Sequence, residues 1–158
     1  MSELTHFDEK GQAIMVDVGQ KEITERLAIA RGRIHLKSET LELILRGETK
    51  KGDVFGVARI AGIMAAKKTP DLIPLAHPLP LNSVRVEFFP NLEKSYIDVE
   101  ARVKVTAKTG VEMEAMTAVC VACLTVYDMV KAVDRSMVIS DIKLTEKAGG
   151  RTGHFIRP

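Results

Sequence analysis

An aspartate and a lysine stand one helical turn apart at the end of the most apolar stretch of the chain. In "YDMVKAV", Asp128 and Lys131 occupy positions i and i+3, and on a solvated helix face this spacing gives a weak ion pair. A carboxylate that is partly buried beside a lysine instead becomes an acid–base group with a shifted pKa. The sequence leaves both interpretations open. The second interpretation stays open because residues 115–126 before Asp128 carry no charge.

Lysines also precede a second apolar segment. Lys50 and Lys51 stand just before "VFGVARIAGIMAAKK", a predicted helix over residues 54–68 that Asp53 can cap. Free backbone N–H groups and the positive end of the helix dipole gather at a helix N-terminus, so lysines there favour anion binding. Two solvated loop lysines are the alternative interpretation.

Two glutamates stand at the start of a long helix predicted over about residues 111–133. In "KTGVEMEAM", Thr109 and Glu112 match a capping box, which gives Glu112 a structural explanation. Glu114 lies beyond the reach of the cap and beside an apolar run, so it is either an exposed acid of the first turn or a site residue.

Glu114 and Asp128 are fourteen positions apart, which is roughly 21 Å along a helix and nearly the same face. Within one subunit they cannot contact one small substrate. If both serve one site, that site is shared by two chains whose long helices run antiparallel across a two-fold axis. We expect Lys51 and Asp128 to meet across this interface, so that variants at the two positions would complement each other in mixed oligomers.

A single histidine lies in a proline-rich loop. "TPDLIPLAHPLPL" surrounds His77 with four of the six prolines of the chain. Prolines fix φ and cannot donate a backbone hydrogen bond, so we expect this segment to stay extended, outside the flanking elements. A stiff connector with a satisfied histidine and the wall of a binding site are both consistent with the pattern.

The glycine-rich segment "EKAGGRTGHF" near the C-terminus contains Lys147 and Arg151. It lacks the strand–turn–helix context of a nucleotide-binding loop. A phosphate contact and a solvated tail are both open for it.

Two cysteines, Cys120 and Cys123, form a CxxC pair within "AVCVACLTV". No third ligand stands nearby, and the segment does not look like a strand-to-helix turn, so a zinc or redox site is not indicated. We expect both to be small, buried helix residues.

The bulk composition is that of a globular protein. The chain has 158 residues, 46% hydrophobic, with a formal net charge of +2, which predicts one domain over residues 1–158 and no bulk nucleic-acid binding. We find no apolar run near the ~18 residues of a membrane span and no targeting segment. A cytoplasmic protein without a membrane or nucleic-acid partner is expected.

The remaining patterns predict the fold. Residues 27–36 alternate as a half-buried strand, and "SETLELILRG" predicts a short helix that Ser38 caps and Gly47 ends. Residues 84–88 and 97–105 predict an antiparallel pair, and residues 137–150 a last strand. The order indicates an α+β, ferredoxin-like antiparallel sheet with helices packed on one face. Surplus apolar helix surface indicates an oligomer.

Two segments together identify a family. "KKGDVFGVARIAGIMAAKKTPDLIPLAHPLPL" and "KTGVEMEAMTAVCVACLTVYDMVKAVDRSM" resemble the cyclic pyranopterin monophosphate synthases of molybdenum cofactor biosynthesis, and the likeness covers essentially the whole chain. The resemblance implies a lyase that converts 3′,8-cyclo-7,8-dihydroguanosine 5′-triphosphate to cyclic pyranopterin monophosphate and diphosphate. It also implies a homohexamer, a trimer of dimers, with sites at the dimer interface.

The resemblance implies roles for individual residues as well. It makes Asp128 the catalytic acid–base residue, tuned by Lys131, and makes Lys51 a catalytic lysine near the triphosphate. The substrate-binding residues that it implies are Leu75, Ala76, His77, Glu112, Met113 and Glu114, with Lys21, Arg26 and Lys147 as further candidates for phosphate contacts. Many relatives have a cysteine where this chain has Ala76, so a thiol there is not required. No cofactor or protein-bound metal is implied, although a divalent cation accompanying the phosphates stays open.

Two other functions are compatible with the same residues. One is a metal-dependent phosphohydrolase that uses His77, Glu112, Glu114 and Asp128 as ligands, although these lack a compact ligand spacing. The other is a non-catalytic module that binds a small ligand for regulation.

Overall fold

The strands with the clearest alternation form the centre of the sheet. The computed structural model describes residues 4–158, and in it β1 (Thr24–His35) pairs antiparallel with β3 (Tyr96–Ala107) along its whole length. Alternate residues of both strands, such as Ala30 and Val99, are fully buried on one face, because successive side chains of a strand point to opposite faces.

The remaining elements complete a five-stranded antiparallel sheet with helices packed on one face. Their bounds are α1 (Ser38–Leu45), α2 (Val54–Lys67), α3 (Thr69–Leu72), β2 (Ser83–Asn91), α4 (Glu112–Val130), β4 (Val138–Ala148) and β5 (Phe155–Ile156). The strand order β2-β3-β1-β4-β5 contains the ferredoxin-like arrangement of the first four strands, with β5 added at one edge. The predicted fold is confirmed.

Glycines let the helices approach closely. A Cβ at Gly32 of β1 would overlap Ile142 Cδ1 and lie 2.6 Å from Val119 Cγ1 of α4. A Cβ at Gly62 of α2 would lie 3.0 Å from the carbonyl oxygen of Ala118 in α4. The core therefore fixes α4 against both β1 and α2, and any residue carried by α4 inherits that position.

The opposite face of the sheet is polar. Arg31 pairs with Glu100 at 3.0 Å, and Arg33 pairs with Asp98 through two contacts of 2.7 and 3.1 Å. Both pairs join β1 to β3 on the side away from the helices. A polar second face agrees with the prediction that the helices pack on one face of the sheet.

Two of the predicted helix signals are confirmed. Asp53 caps α2, since its Oδ1 accepts from the Gly56 N–H at 3.0 Å. Gly47 follows the end of α1 with φ +70°, a conformation that glycine adopts without steric cost. Both are local signals that depend on a residue type and a spacing alone.

The cap predicted for α1 is wrong. Ser38 is the first residue of the helix, and its N-cap, Lys37, makes no side-chain cap. Asp134, 94 residues or more further along the chain, instead accepts from the Lys37 N–H at 2.9 Å and the Thr40 hydroxyl at 3.1 Å. The same carboxylate accepts from the Ser136 N–H and hydroxyl. The hydrogen bonds of Asp134 therefore link the segment after α4 to the start of α1.

The capping box predicted for α4 is also wrong. Its N-cap is Val111, which makes no side-chain cap, and the Thr109 hydroxyl donates to the Gly110 carbonyl at 3.4 Å. Glu112 is therefore free for another partner.

The proline-rich segment is only partly extended. Residues Thr69–Leu72 form the single turn α3, with a proline at its start, where the missing N–H costs nothing. A second turn follows at Pro74 and Leu75, where the Ala76 N–H donates to the Ile73 carbonyl at 3.1 Å. Residues 76–81 then belong to no helix or strand.

The helix α4 is more apolar than the sequence prediction allowed. By length and composition it could cross a membrane, and the expectation of no such run is wrong on that point, although 56% of its most apolar window is buried in the fold. Cys123 is buried as predicted, whereas Cys120 is exposed, which corrects the prediction that both are buried.

Candidate active site

A carboxylate held by two lysines lies at the C-terminal end of α4. Lys131 Nζ is 2.8 Å from Asp128 Oδ1, and Lys51 Nζ is 3.4 Å from Oδ2. Lys51 also donates to the backbone carbonyl of Asp128 at 2.8 Å. A lysine is electrostatically favoured at the carbonyl end of a helix, and the loop before α2 delivers Lys51 there because α2 packs on α4.

This geometry decides one alternative and corrects one expectation. The Asp128 side chain is 57% exposed, so the interpretation of Asp128 and Lys131 as an ion pair on a solvated helix face is the one that the subunit shows. Lys51 and Asp128 belong to the same chain, so they do not meet across an interface.

The two lysines favour the ionised form of Asp128. The hydrogen bond from Lys131, its charge and then the charge of Lys51 lower the pKa of the Asp128 carboxyl below its usual range. The same contact, first as a hydrogen bond and then as an attraction of charges, raises the pKa of Lys131. The resting pair is therefore a carboxylate on Asp128 beside an ammonium group on Lys131. The carboxylate can accept a proton, and the ammonium group can donate one.

A cationic cavity lies at the other end of α4. Its volume is about 440 Å³. Its walls include the residues Lys21, Arg26, His77, Glu112, Lys147 and Arg151. Four of these six carry a positive charge, and two carboxylates, Glu112 and Glu22, also line the cavity. The excess of positive charge suits an anion with several negative charges, such as a phosphate chain.

Two contacts position charged side chains in this cavity. Lys147 Nζ lies 2.9 Å from Glu112 Oε1, an ion-pair contact between two largely buried side chains. Arg26 donates from Nε to the Ala107 carbonyl and from Nη2 to the Lys108 carbonyl, both at 3.1 Å. The sheet thus brings β1, β4 and the β3–α4 connection together around one anion-sized space.

His77 is tied to the N-terminal arm, residues 4–23. Its Nε2 lies 2.6 Å from the Val16 carbonyl oxygen. A carbonyl can only accept, so Nε2 carries the proton, and Nδ1 of the neutral ring is left as an acceptor. The arm also contributes Thr5, His6 and Val18 to the cavity wall. Sequence reasoning missed these residues, because the arm has no regular periodicity that would place it against the sheet.

Glu114 is a buried carboxyl group. It is 3% exposed, and burial raises its pKa to about 7, assisted by the charge of Glu112 and opposed by a backbone hydrogen bond. Near neutral pH this group is poised between acid and carboxylate, which is how proteins prepare a proton donor or acceptor.

The other predicted substrate-binding residues lie outside the cavity wall. Leu75 and Ala76 are half-buried in the proline-rich loop, and Met113 is 39% exposed at the start of α4. The structure therefore gathers His77, Glu112 and the phosphate candidates at one end of α4, and Lys51, Asp128 and Lys131 at the other.

Exposed apolar side chains lie on α4, between these two ends, and on α2. On α4 they include Cys120 and Leu124, the latter 59% exposed. On α2 they include Val57, Ile60 and Met64, which are 43%, 61% and 49% exposed. We call these five residues the apolar helix surface.

The ligand set of a metal-dependent phosphohydrolase does not come together in the subunit. Glu112 and Asp128 lie at opposite ends of α4, too far apart to share one ion. Within residues 4–158, no group of three or more His, Cys, Asp or Glu side chains is placed to hold a metal ion.

The fold and the two clusters define a class of protein: a ferredoxin-like α+β domain equipped to bind a polyanionic ligand and to transfer protons. Comparison with known families narrows this class. The family model described as "MoaC family" matches residues 15–150, and the chain belongs to this family.

Curated relatives agree along nearly the whole chain. The chain is 62% identical over 157 residues to a protein of Pelotomaculum thermopropionicum, covering 99% of the chain and 92% of that protein. It is 60% identical to one of Thermomicrobium roseum, with 99% and 95% covered, and 58% identical to one of Dinoroseobacter shibae, with 98% of each covered. Each of these relatives is named cyclic pyranopterin monophosphate synthase.

Proposed function

We propose that this protein is a lyase of molybdenum cofactor biosynthesis that converts 3′,8-cyclo-7,8-dihydroguanosine 5′-triphosphate to cyclic pyranopterin monophosphate and diphosphate. The observation that carries the proposal is Asp128, held ionised between Lys51 and Lys131 in a chain of the MoaC family. The reaction needs proton transfers and stabilisation of phosphate charge, and it needs no electron transfer. The residues at the two ends of α4 supply these two requirements.

Asp128 acts as the catalytic acid–base residue. Its carboxylate takes protons from the rearranging purine ring, and the Lys131 ammonium returns them to ring nitrogens as bonds open. Lys51, 3.4 Å from the same carboxylate, is close enough to offset negative charge on the reacting phosphate.

The cationic cavity binds the triphosphate. Lys21, Arg26, Lys147 and Arg151 face this space and attract the chain of phosphates. When a substrate hydroxyl attacks the α-phosphorus, that hydroxyl loses its proton, the bond to the β-phosphate bridging oxygen breaks, and diphosphate leaves. These cations stabilise the charge that accumulates on the leaving group.

The base and sugar contact the remaining predicted substrate-binding residues. His77 offers Nδ1 as an acceptor, and Glu112 is held by Lys147. Glu114, with its pKa raised to about 7, can donate to or accept from a purine edge. Leu75, Ala76 and Met113 supply apolar contacts.

A complete site combines two subunits. Antiparallel pairing through the apolar helix surface would bring the cationic cavity of one chain opposite Asp128 of its partner, and burial of the exposed Ile60 and Leu124 favours such pairing. We infer a homohexamer of three such dimers, with one domain per chain, in the cytoplasm and without a nucleic-acid or membrane partner.

Turnover tests the proposed reaction directly. Incubation of the purified protein with the cyclised dihydro-GTP should give a fluorescent pterin after oxidation, together with diphosphate. Asp128→Asn should abolish turnover while the oligomer survives, because the amide cannot take up a proton. Asp71→Asn, at another exposed aspartate, is the matched control and should leave turnover unchanged. Wild-type rates for Asp128→Asn would remove Asp128 from this role, and no product from the wild type would overturn the function.

Mixed oligomers test the shared site. His77→Ala and Asp128→Ala subunits, each inactive alone, should recover about a quarter of the wild-type sites after reassembly, since half of the dimers are mixed and one of their two sites is intact. Lys51→Ala with Asp128→Ala should recover nothing, because these residues share a chain. Equal recovery of activity in both mixtures would contradict the shared site. So would an absence of recovery in the mixture of His77→Ala and Asp128→Ala subunits, once subunit exchange has been demonstrated.

We propose that no resident cofactor takes part and that any divalent cation arrives with the phosphates. Turnover by a metal-free preparation in a chelator separates this from the phosphohydrolase alternative, which predicts complete loss. A non-catalytic module would bind the substrate and release no diphosphate.

A further inference from the structure

Arg26 has a supporting surface on each side of its side chain. On one side, the carbonyls of Ala107 and Lys108 accept from its Nε and Nη2, each at 3.1 Å. These two bonds use two of the five N–H donors of a guanidinium group. The other three are left for a ligand in the cavity that Arg26 lines.

The backbone of Gly149 and Gly150 covers the other side. A Cβ at Gly150 would overlap Arg26 Nη1 and lie 3.0 Å from Cζ and 3.4 Å from Nη2. A Cβ at Gly149 would overlap the Glu25 carbonyl oxygen and lie 3.1 Å from Arg26 Cα. The backbone of Gly150 therefore lies directly against the guanidinium group, and the backbone of Gly149 lies against β1 at the base of the Arg26 side chain. Neither position leaves room for a Cβ.

Both glycines also have left-handed backbone conformations, with φ +93° and +79°. Two consecutive positive φ values turn the chain sharply after β4, and β5 then returns antiparallel along the outer edge of β4. Other residue types adopt such φ values only with strain. The turn places Gly150 and Arg151 in the wall of the same cavity.

We propose that Gly149 and Gly150 are positioning residues that hold the Arg26 guanidinium in the geometry that binds a phosphate group of the substrate. The inference rests on the proposed function, since it assigns Arg26 to the triphosphate. It adds a role for the glycine-rich segment: the segment restricts a cation supplied by another strand, in addition to contributing Arg151. Restricting a side chain before binding reduces the entropy lost on binding.

The test compares Gly150→Ala with a control that has the same backbone conformation. The methyl group should displace Arg26 and raise KM by about tenfold or more, the equivalent of one charge-assisted hydrogen bond, with little change in kcat. Gly153→Ala is the matched control, because Gly153 has φ +72° and nothing within 4 Å of a Cβ. It carries the same strain without the contact, so its KM should stay unchanged.

A direct binding measurement separates this inference from the reaction. Calorimetric titration of the full-length protein with inorganic tripolyphosphate should show a Kd about tenfold higher for Gly150→Ala. In the Arg26→Ala background, Gly150→Ala should add no further loss, because the guanidinium it would displace is absent.

Tripolyphosphate affinity and KM of Gly150→Ala equal to wild type, or equal to those of Gly153→Ala, would overturn the inference, as would additive losses in the double variant. Should Gly150→Ala fail to fold, the Arg26→Ala/Gly150→Ala protein should fold, since the space is then free. Failure of that double variant to fold would also overturn the inference. An inactive wild type would refute the proposed function instead.

Discussion

The stability of Glu114→Gln relative to the wild type should be higher at neutral and alkaline pH than at acid pH. Glu114 is 3% exposed, and burial raises its pKa from 4.5 to about 7. Between these values the folded protein holds a proton that the unfolded chain has released. Wild-type stability therefore falls as pH rises through this window, and the full penalty is present above pH 7.

The size of the effect follows from the shift. A rise from 4.5 to about 7 corresponds to at most about 3 kcal/mol of penalty on the ionised form. Glutamine cannot ionise, so the stability of Glu114→Gln relative to wild type should increase by up to this amount between pH 4.5 and pH 8. The change with pH is the quantity to compare, because replacing the carboxyl by an amide also alters local hydrogen bonding by an amount that does not vary with pH.

Urea unfolding at a series of pH values measures this difference. Protein concentration must be held constant, because the proposed oligomerisation would make the measured stability depend on it. Glu39→Gln is the control, since Glu39 is an exposed acid in the first turn of α1, and its stability should track the wild type. If the stability of Glu114→Gln runs parallel to the wild type from pH 4.5 to 8, Glu114 is not a carboxyl group with a raised pKa.

Three further predictions concern other named contacts. Asp134→Asn should lower the free energy of unfolding by about 1–3 kcal/mol in urea, because it removes acceptor capacity from a buried carboxylate. Burial raises the pKa of Asp134, but hydrogen bonds from Lys37, Ser136 and Thr40 outweigh burial and lower the pKa overall. The stability lost in Asp134→Asn should therefore shrink as pH falls below the usual aspartate range. A loss of stability that does not change with pH would contradict this prediction. Gly32→Ala should cost about 1–3 kcal/mol by overpacking the core under α4, and a neutral effect would show that α4 can move away. Lys131→Met should raise the carboxyl pKa of Asp128, followed by carbon NMR, more than Lys51→Met does; the reverse order would refute the assigned causes.

Local signals predicted most of the fold. Alternation along β1 and β3 gave the buried face of the sheet, and Asp53 and Gly47 marked helix ends, because each depends on residues close in the chain. The cap of α1 was beyond this reasoning, since its acceptor, Asp134, is brought there only by the completed fold. Proximity in three dimensions carries no signature in the spacing of residues.

In the candidate site, too, some contacts follow from local spacing and others depend on the completed fold. The spacing of Asp128 and Lys131 was enough to predict their contact, and the fourteen-residue separation from Glu114 was enough to place the two groups at different ends of α4. The position of Lys51 depends on the packing of α2 against α4, and the donor role of His77 Nε2 depends on the N-terminal arm. Neither follows from the periodicity of the sequence, because both depend on contacts that only the completed fold brings together.

The length of α4 restricts the insertions and deletions that the sequence can tolerate. Each residue inserted or deleted between Glu114 and Asp128 would shift one end by about 1.5 Å and rotate it by about 100° relative to the other. Even an insertion of a whole turn, which nearly restores the facing, would separate the two clusters by a further ~5 Å. Substitutions along the helix can accumulate one at a time, whereas in the proposed dimer a change in helix length would have to be matched by the second subunit in the same step. We therefore expect α4 to tolerate substitutions but not insertions or deletions.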